Sequence, residues 1–354
     1  MTGQQICSAI RLAKKFHEKT TIVWGGVHPT ICPESVIDEN YVDYIIRGDG
    51  EEAFLNLLKR LDSGGNLDID YAVHCLKNLD ESMIDFSEEF IAREYFIKRD
   101  GFNKAFPLET SRGCPHKCAF CHNSIMGQSY RTVNTELVIK NIEQLYFKYN
   151  IDGVIFQEDN FFLNNERVIE ILSRLSEYYI GWKANSRLSY FKKLINDKKT
   201  MNLIMASQCH LLQFGIESGS DRILKMINKG ITVADIIEIN KRLAEYNIAI
   251  RYNFIIGFPT ESRSEIEETL ALINKLLNDN PHMESPFVNI YTPYPGTPLY
   301  NLAKQEGFVP PKNLEEWSRI VWNYPDETLH RDAEFRDFLF EVSNMFLKKS
   351  KYLR

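Results

Sequence analysis

The 354-residue sequence lacks the features that mark secreted and membrane proteins. No apolar run approaches the ~20 residues needed to span a bilayer. Residues 1–30 also lack the basic, apolar and small-residue succession of a signal peptide. The seven cysteines are odd in number and do not read as a disulfide framework. The sequence therefore predicts a cytoplasmic protein, without a membrane span, in a compartment that keeps thiols reduced.

An excess of positive charge is absent as well. The net charge of -6 disfavours nonspecific binding to nucleic acid, so no nucleic-acid partner is expected. The hydrophobic content of 44% is ordinary, and the length is sufficient for two domains. These properties fit a soluble enzyme but do not identify a substrate.

Three cysteines are concentrated in one short loop. Cys114, Cys118 and Cys121 stand in the run Ser111-Arg-Gly-Cys-Pro-His-Lys-Cys-Ala-Phe-Cys-His122. A closed structural zinc site or an ordinary ferredoxin-type cluster uses four protein ligands, whereas three leave one metal position open to a substrate or cofactor. The spacing therefore predicts an iron–sulfur cluster with an open iron, whose negative charge Arg112 or Lys117 could offset.

Two other interpretations of these cysteines stay open. They could form a Cys3His zinc site with His116 or His122, or they could be unrelated buried thiols. The remaining cysteines have no ligand-like spacing, and Cys209 is expected to be a small core residue; they are Cys7, Cys32, Cys75 and Cys209.

The C-x-x-x-C-x-x-C spacing, with the aromatic Phe120 before the last cysteine, resembles the signature of the radical S-adenosylmethionine (SAM) superfamily. The resemblance implies that the three thiolates hold a [4Fe-4S] cluster and that SAM binds the fourth iron. It also implies one-electron reduction and cleavage of SAM to a 5′-deoxyadenosyl radical, chemistry that belongs to the cofactor.

Strand and helix signals alternate from Lys104 onward and predict six βα units. The predicted strands are residues 105–110, 153–157, 182–186, 211–216, 249–256 and 287–291, with helices at 135–149, 166–178, 233–246 and 265–277. Right-handed βαβ connections give a curved parallel sheet, and six units match the partial (β/α)6 barrel of the superfamily. Functional side chains are then expected at the carboxyl ends of the strands.

Polar and glycine residues follow the predicted strands at the positions where the family binds SAM. The resemblance assigns SAM contacts, beside Phe120, to Gln157, Glu158, Asp159, Ser186, Arg187, Glu217, Ile255, Gly257 and Phe258. Helix caps would account for Asp159 or Asn160 and for Ser218 or Ser220, and core packing would account for Ile255. Tyr291, Tyr294 and Thr297 are candidates to face a substrate, although turn chemistry explains much of that loop.

The N-terminal region has a shorter β-α pattern. A helix at residues 4–19 and strands at 21–24 and 44–46 precede a helix through Phe54. The runs Trp24-Gly-Gly-Val-His-Pro-Thr30 and Asp43-Tyr-Ile-Ile-Arg-Gly-Asp-Gly-Glu51 resemble the C-terminal half of a cobalamin-binding domain. The resemblance makes Gly25, Gly26, His28 and Gly48 cobalamin candidates, with ordinary strand-end turns as the alternative.

One feature of many cobalamin domains is missing, because the chain has no Asp-x-His-x-x-Gly run to supply an axial histidine. The early strands of the Rossmann-like unit would precede Met1. The expected organisation is a partial cobalamin-binding domain (1–61), a linker (62–103), the radical SAM core (104–310) and a helical C-terminal cap (311–354). The fold class is thus α/β, a partial TIM-like barrel preceded by an incomplete Rossmann-like domain.

The resemblance implies a radical SAM enzyme, with cobalamin-linked methylation of an organic substrate as the main expectation. Radical oxidation or cyclisation without methyl transfer is the alternative, as is an inactive truncated paralogue or a nonenzymatic iron–sulfur module. The expected partners are a small-molecule or natural-product substrate and an external electron donor such as flavodoxin or ferredoxin.

Overall fold

The computed structural model describes residues 3–64, 72–84, 86, 95–126, 129–321 and 323–349. Its strands are β1 Val23–Trp24, β2 Tyr44–Ile45, β3 Arg47–Gly48, β4 Val73–His74, β5 Ala105–Leu108, β6 Ser111–Arg112, β7 Arg131–Thr132, β8 Gly153–Phe156, β9 Gly181–Arg187, β10 Cys209–Glu217, β11 Ala249–Ile256 and β12 Phe287–Ile290. Among these residues no helix has the length and apolar character needed to cross a membrane.

The helices fill the connections between the strands. They are α1 Gly3–Phe16, α2 Val27–Ile31, α3 Glu34–Ile37, α4 Glu51–Asp62, α5 Thr135–Tyr149, α6 Asn165–Leu175, α7 Leu188–Leu194, α8 Lys198–Ala206, α9 Asp221–Met226, α10 Val233–Leu243, α11 Arg263–Asp279, α12 Pro298–Gln305, α13 Leu314–Trp317 and α14 Ala333–Lys349. Helices α10 and α11 begin with capping boxes, Thr232 with Asp235 and Ser262 with Glu265, which satisfy backbone donors that a helix start leaves free.

Six strands form one parallel sheet in the order β12-β11-β10-β9-β8-β5. Each strand pairs in parallel with its neighbour, as Ala105 with Gly153 and Phe156 with Ala184 illustrate. The sheet is a curled half-barrel with helices in its connections, which confirms the predicted α/β fold class and (β/α)6 topology. The carboxyl ends of all six strands lie at one edge, and the cysteine loop follows the first of them.

Apolar side chains fill the core on both faces of the sheet. All four residues of β8 are buried, as expected for a parallel strand covered on both sides. Phe156 stacks on Phe161 with ring centroids 4.4 Å apart, and Phe161 also contacts Trp182 at 5.7 Å. This aromatic packing joins the carboxyl end of β8 to the amino-terminal part of β9.

The junction at residues 62–103 does more than link two domains. Within its described part, β4 pairs with β3, and Asp100 is buried against Lys183 (2.7 Å) and Arg251 (3.0 Å) at the amino end of the barrel. A buried carboxylate needs such partners to offset its desolvation. Residues 65–71 of the predicted linker lie outside the described residues.

The N-terminal region has its own small core. Strands β1 and β2 pair in parallel, and α1 packs against α13 from the C-terminal region. Leu314 and Trp317 complete this core, whereas α14 packs on β12, where Ser343 Oγ donates to the carbonyl of Val288 at 2.8 Å. Helices α13 and α14, which lie in the predicted C-terminal cap, thus contact different regions.

Candidate active site

The three cysteines occupy the loop between β6 and β7. These strands form an antiparallel pair that closes the base of the loop, and Gly113 turns the chain into it with φ 86°, a backbone conformation that favours glycine. Cys118 is buried, while Cys114 and Cys121 are half-buried. Arg187 Nη1 lies 2.8 Å from Cys118 Sγ, so a positive charge accompanies one thiol directly.

Burial favours the neutral form of the Cys114 and Cys121 thiols. Burial raises the pKa of Cys121 to about 11 and also raises the pKa of Cys114, and the nearby Asp159 carboxylate adds to both shifts. Metal ligation by cysteine requires the thiolate, so cluster binding at this loop must release protons. The loop supplies three sulfur donors from 8 residues and fits a cluster with one open iron.

The two histidines proposed for a zinc site have other contacts. His116 Nε2 lies 2.9 Å from the hydroxyl of Tyr190. The ring of His122 meets that of Tyr294 edge-on, with centroids 6.3 Å apart. Within the described ranges, no three His, Cys, Asp or Glu side chains are grouped tightly enough to hold one metal ion.

The predicted acidic site after β8 divides into two parts. Gln157 and Asp159 are exposed and face a cavity beside the cluster loop. Glu158 is buried on the opposite side of the chain, where it accepts hydrogen bonds from Thr110 Oγ1 and Ser111 Oγ. Burial raises the pKa of Glu158. Glu158 therefore braces the strand that leads into the cluster loop, whereas Gln157 and Asp159 are open to the cavity.

The predicted positions after β9 lie next to the cluster loop. Asn160 Oδ1 accepts from Ser186 Oγ at 3.0 Å and from the backbone N–H of Arg187 at 3.3 Å. Asn160 Nδ2 and Arg187 Nε are buried without a hydrogen-bond partner in the part of the chain that the structure describes. Unpaired buried donors are costly, so these two groups are available to a polar ligand such as the SAM carboxylate.

Glu217, the last residue of β10, forms a buried ion pair that was not predicted from the sequence. Its carboxylate lies 2.5 Å from Lys229 Nζ, and both side chains are less than a tenth exposed. The backbone of Glu217 has φ 78°, a strained conformation for a residue with a side chain. Sequence spacing alone gave no signal for Lys229, since its partner is twelve residues away.

The turn after β11 contains the predicted adenine positions. Gly257 has φ 76°, and the backbone N–H groups of Gly257 and Phe258 donate to Glu261 Oε2 at 2.6 and 3.0 Å. Burial raises the pKa of Glu261 to about 8. Phe258 faces Phe120 from the cluster loop, with ring centroids 6.0 Å apart. The turn thus meets the cluster loop through two aromatic rings, and half-buried Ile255 also packs against the core.

The other positions singled out near the strand ends have local structural roles. Ser220 Oγ caps α9, Thr297 Oγ1 caps α12, and Ser218 Oγ accepts from the backbone of Ser220 at 3.1 Å. Tyr291 is buried, and its ring packs 5.3 Å from that of Phe258.

A cavity of about 770 Å³ lies between the N-terminal region and the cluster loop. One wall is glycine-rich, with Gly25, Gly26 and Gly48, and the opposite wall contains Gln157 and Asp159. Three of the four cobalamin candidates and two of the SAM candidates therefore line one space, although they come from opposite ends of the first 160 residues.

The three glycines on this wall differ in how much space a side chain would have at each position. A Cβ on Gly48 would lie 2.0 Å from the carbonyl oxygen of His74, so pairing of β3 with β4 demands glycine there. Gly26 has φ 98°, and a Cβ on it would meet no atom within 4 Å. A Cβ on Gly25 would reach only ordinary contacts near Ile46. Gly26 thus presents bare backbone to the cavity, as a cradle for a large ligand requires.

His28 lies outside the residues that line the cavity. Its Nε2 is 2.9 Å from Ser35 Oγ, and its ring packs edge-on against Trp317 with centroids 5.5 Å apart. Burial lowers the pKa of His28 to about 4, so the ring is neutral at pH 7. The structure gives His28 a packing role in the N-terminal core.

Asp49 joins the glycine-rich wall to the cluster loop. Its carboxylate contacts Arg112 of β6 at 3.2 Å and Arg131 of β7 at 2.6 Å. Arg112 also pairs with Glu51 at 2.8 Å and Glu109 at 2.7 Å. Arg112 is thereby committed to carboxylates, whereas the guanidinium of Arg187 contacts the Cys118 sulfur.

Two family models match the chain. One, described as the radical SAM superfamily, matches residues 108–273, and the other, described as the B12 binding domain, matches residues 3–58. An uncharacterized methyltransferase of Pyrococcus horikoshii is 33% identical over 328 residues, which cover 88% of this chain and 69% of the relative. The chain belongs to the radical SAM superfamily, in the branch that carries a B12-binding domain, as the cysteine motif and glycine turns predicted. The cofactors of this family are a [4Fe-4S] cluster and SAM.

A more distant relative and a solved structure extend the comparison. The anaerobic magnesium-protoporphyrin IX monomethyl ester cyclase of Cereibacter sphaeroides is 26% identical over 305 residues, covering 80% of this chain and 48% of the cyclase. The radical SAM methyltransferase TsrM of Kitasatospora setae matches the fold with a TM-score of 0.65 at 15% identity, over 86% of this chain and 63% of TsrM. The chain thus spans less than two thirds of either protein.

Proposed function

We propose that this protein is a radical SAM enzyme that transfers a methyl group to an organic substrate with the help of cobalamin. The observation that carries the proposal is the shared cavity: the bare backbone of Gly26 faces the same space as Gln157 and Asp159, beside the loop of three cysteines. A methyltransferase that uses two cofactors needs both of them next to one substrate.

Cys114, Cys118 and Cys121 would hold the cluster, which supplies one-electron reduction of SAM when bound. Arg187 places its charge against the Cys118 sulfur and, with Asn160, offers unused donors to the polar end of SAM. Gln157 and Asp159 can accept hydrogen bonds from the methionyl ammonium. The turn at Gly257 and Phe258 would border the adenine through its apolar surface and backbone.

Cobalamin would rest on the glycine turns at Gly25, Gly26 and Gly48, where it would supply a methyl carrier. Since His28 is held by Ser35 and Trp317 inside the N-terminal core, the bound cobalamin would have no histidine ligand from this position. The chain's own contribution is a backbone cradle whose distance to the cluster loop is set by Asp49 and its two arginines.

Radical oxidation or cyclisation without methyl transfer is the second candidate function. The similarity to the Cereibacter cyclase over 80% of this chain favours it, and the same site would serve, because specificity in this fold depends on the substrate pocket and not on the fold. In either case the electron donor would be an external protein such as flavodoxin or ferredoxin, and the substrate a small organic molecule.

An anaerobic assay of the reconstituted protein tests the proposal. Protein carrying a full cluster is mixed with dithionite and SAM, with and without methylcobalamin, and 5′-deoxyadenosine, methionine and S-adenosylhomocysteine are measured. We expect reductive cleavage of SAM in both cases and a change in products with methylcobalamin. If the protein does not bind cobalamin and the products of SAM cleavage are the same with and without methylcobalamin, the oxidation or cyclisation alternative is favoured.

The cysteines provide the control for this assay. Substitution of Cys114, Cys118 or Cys121 by Ala should abolish SAM cleavage, because a cluster needs all three sulfur ligands. Cys209→Ala, at a buried thiol remote in sequence from the loop, should retain it. Cleavage by any of the three loop variants at the wild-type rate would contradict the cluster assignment.

A further inference from the structure

The turn at residues 227–230, directly after α9, is hydrogen-bonded to the cluster loop. The backbone N–H of Ala119 donates to the carbonyl of Ile227 at 2.9 Å, and Asn228 Nδ2 donates to the carbonyl of Lys117 at 2.9 Å. Asn228 has φ 54° and Gly230 φ 70°, which bend the chain tightly at this point. The turn therefore holds the segment that contains Cys118.

Lys229 extends this contact toward the cluster position. Its carbonyl accepts from Arg187 Nη2, and the other terminal nitrogen of Arg187 contacts Cys118 Sγ at 2.8 Å. The Lys229 ammonium lies 5.8 Å from the ring centroid of Phe120, the residue that precedes the third cysteine. The backbone of Lys229 thus reaches Cys118 through Arg187, and its side chain adjoins Phe120.

The ammonium of Lys229 forms the ion pair with Glu217, and Gly215 leaves space for the two side chains. A Cβ on Gly215 would lie 2.3 Å from Glu217 Oε1 and 3.1 Å from Lys229 Nζ. A glycine within strand β10 weakens the strand, and a side chain at this position would collide with the pair. The Lys229 contact also stabilises the strained backbone of Glu217, whose φ is 78°.

We propose that Lys229 is a positioning residue that ties Glu217, a predicted SAM contact, to the cluster loop. This inference rests on the proposed function, since it concerns the SAM site of that function. The ammonium neutralises a carboxylate close to the loop, and hydrogen bonds and net charge around a cluster set its reduction potential. Both SAM affinity and cluster potential then depend on Lys229.

Lys229→Met tests this role, because methionine keeps much of the side-chain volume and removes the charge. We expect wild-type iron and sulfide content, SAM binding about tenfold weaker, equivalent to about 1.4 kcal/mol, and a midpoint potential shifted to more negative values. SAM affinity is measured by equilibrium dialysis and the potential by anaerobic EPR titration. The control is Lys225→Met, at an exposed lysine of α9, which should match the wild type in both measurements.

Lys229→Met leaves Glu217 buried without its partner and could fail to fold. The double variant Lys229→Met/Glu217→Gln removes both charges and avoids that penalty. A double variant that takes up the cluster but binds SAM more weakly than Glu217→Gln alone supports the proposal, because the comparison isolates the loss of Lys229. If either variant takes up a full cluster and shows wild-type affinity and potential, the proposal is wrong. If neither takes up a cluster, the pair serves folding alone and the proposal is equally wrong.

The wild-type protein separates this inference from the proposed function. If the wild type carries a full cluster yet neither binds nor cleaves SAM, the proposed function fails. If the wild type does both and Lys229→Met is indistinguishable from it, only the role of Lys229 fails.

Discussion

The barrel and the N-terminal region bury their strands in different ways. The six barrel strands are four to nine residues long and share one continuous core. The described N-terminal strands have two residues each, and α4 buries Ala53 while Phe54, Leu55 and Leu58 are largely exposed. Hydrophobic stabilisation grows with the apolar area removed from water. The barrel therefore supports itself, whereas the N-terminal region depends on contacts from elsewhere in the chain.

The largest expected effect on stability follows from removing the buried side chain of Trp182 from the barrel core. Trp182→Ala should lower the free energy of unfolding by about 3–5 kcal/mol, because the buried indole packs against Phe156 and Phe161 and would leave a cavity. Urea unfolding followed by circular dichroism measures the change. Tyr179→Ala, at a side chain that is 84% exposed, is the control and should change stability little. An equal loss in both variants would contradict a self-supporting barrel core.

A smaller and more local effect is expected at the contact between the chain's two ends. Leu314 is fully buried in the N-terminal core, and Leu314→Ala should cost about 3 kcal/mol. Hydrogen exchange should then become faster in α1 and unchanged in the barrel strands. The control is Leu12→Ala on the exposed side of α1. Faster exchange throughout the barrel would show that the two regions unfold as one unit.

The difference between the long barrel strands and the less regular segments also explains how much of the fold could be predicted from the sequence. Alternating apolar runs predicted all six barrel strands and α5 with its observed ends, because local periodicity reflects burial on a regular sheet. Helices α7 and α8, between Arg187 and Cys209, were not predicted. The junction at 62–103 has no sustained period, yet its Asp100 pairs with barrel residues 83 and 151 positions away.

The site residues also fall into two groups, those that belong to a local sequence motif and those that only the fold brings into the site. The cysteine spacing and the residues after each strand are local patterns, so they could be found in the sequence. The side to which Glu158 points follows from strand alternation, which places it opposite Gln157 and Asp159. Lys229 carries no motif of its own, and only the folded backbone brings it to Glu217.

The smallest effect concerns the ion pairs that join the two regions. Although burial alone would raise the pKa of Asp49, the hydrogen bond from Arg131, a backbone hydrogen bond from Leu76 and the charge of Arg112 hold it below its usual value. A carboxyl with a depressed folded pKa adds stability above its unfolded pKa and loses it as the pH falls through the folded pKa. Asp49→Asn should therefore cost roughly 2 kcal/mol at pH 7.

This difference between Asp49→Asn and the wild type should shrink as the pH is lowered below the ordinary range of an aspartate, because the wild-type carboxylate then also loses its charge. Urea unfolding at a series of pH values measures it. The exposed Asp62→Asn, at the end of α4, is the matched control and should show no such dependence. A constant difference across the pH range would mean that Asp49 acts through shape and not through charge. The N-terminal region would then be held to the barrel by the Leu314 contact, and the distance between the glycine wall and the cluster loop would not depend on the arginines.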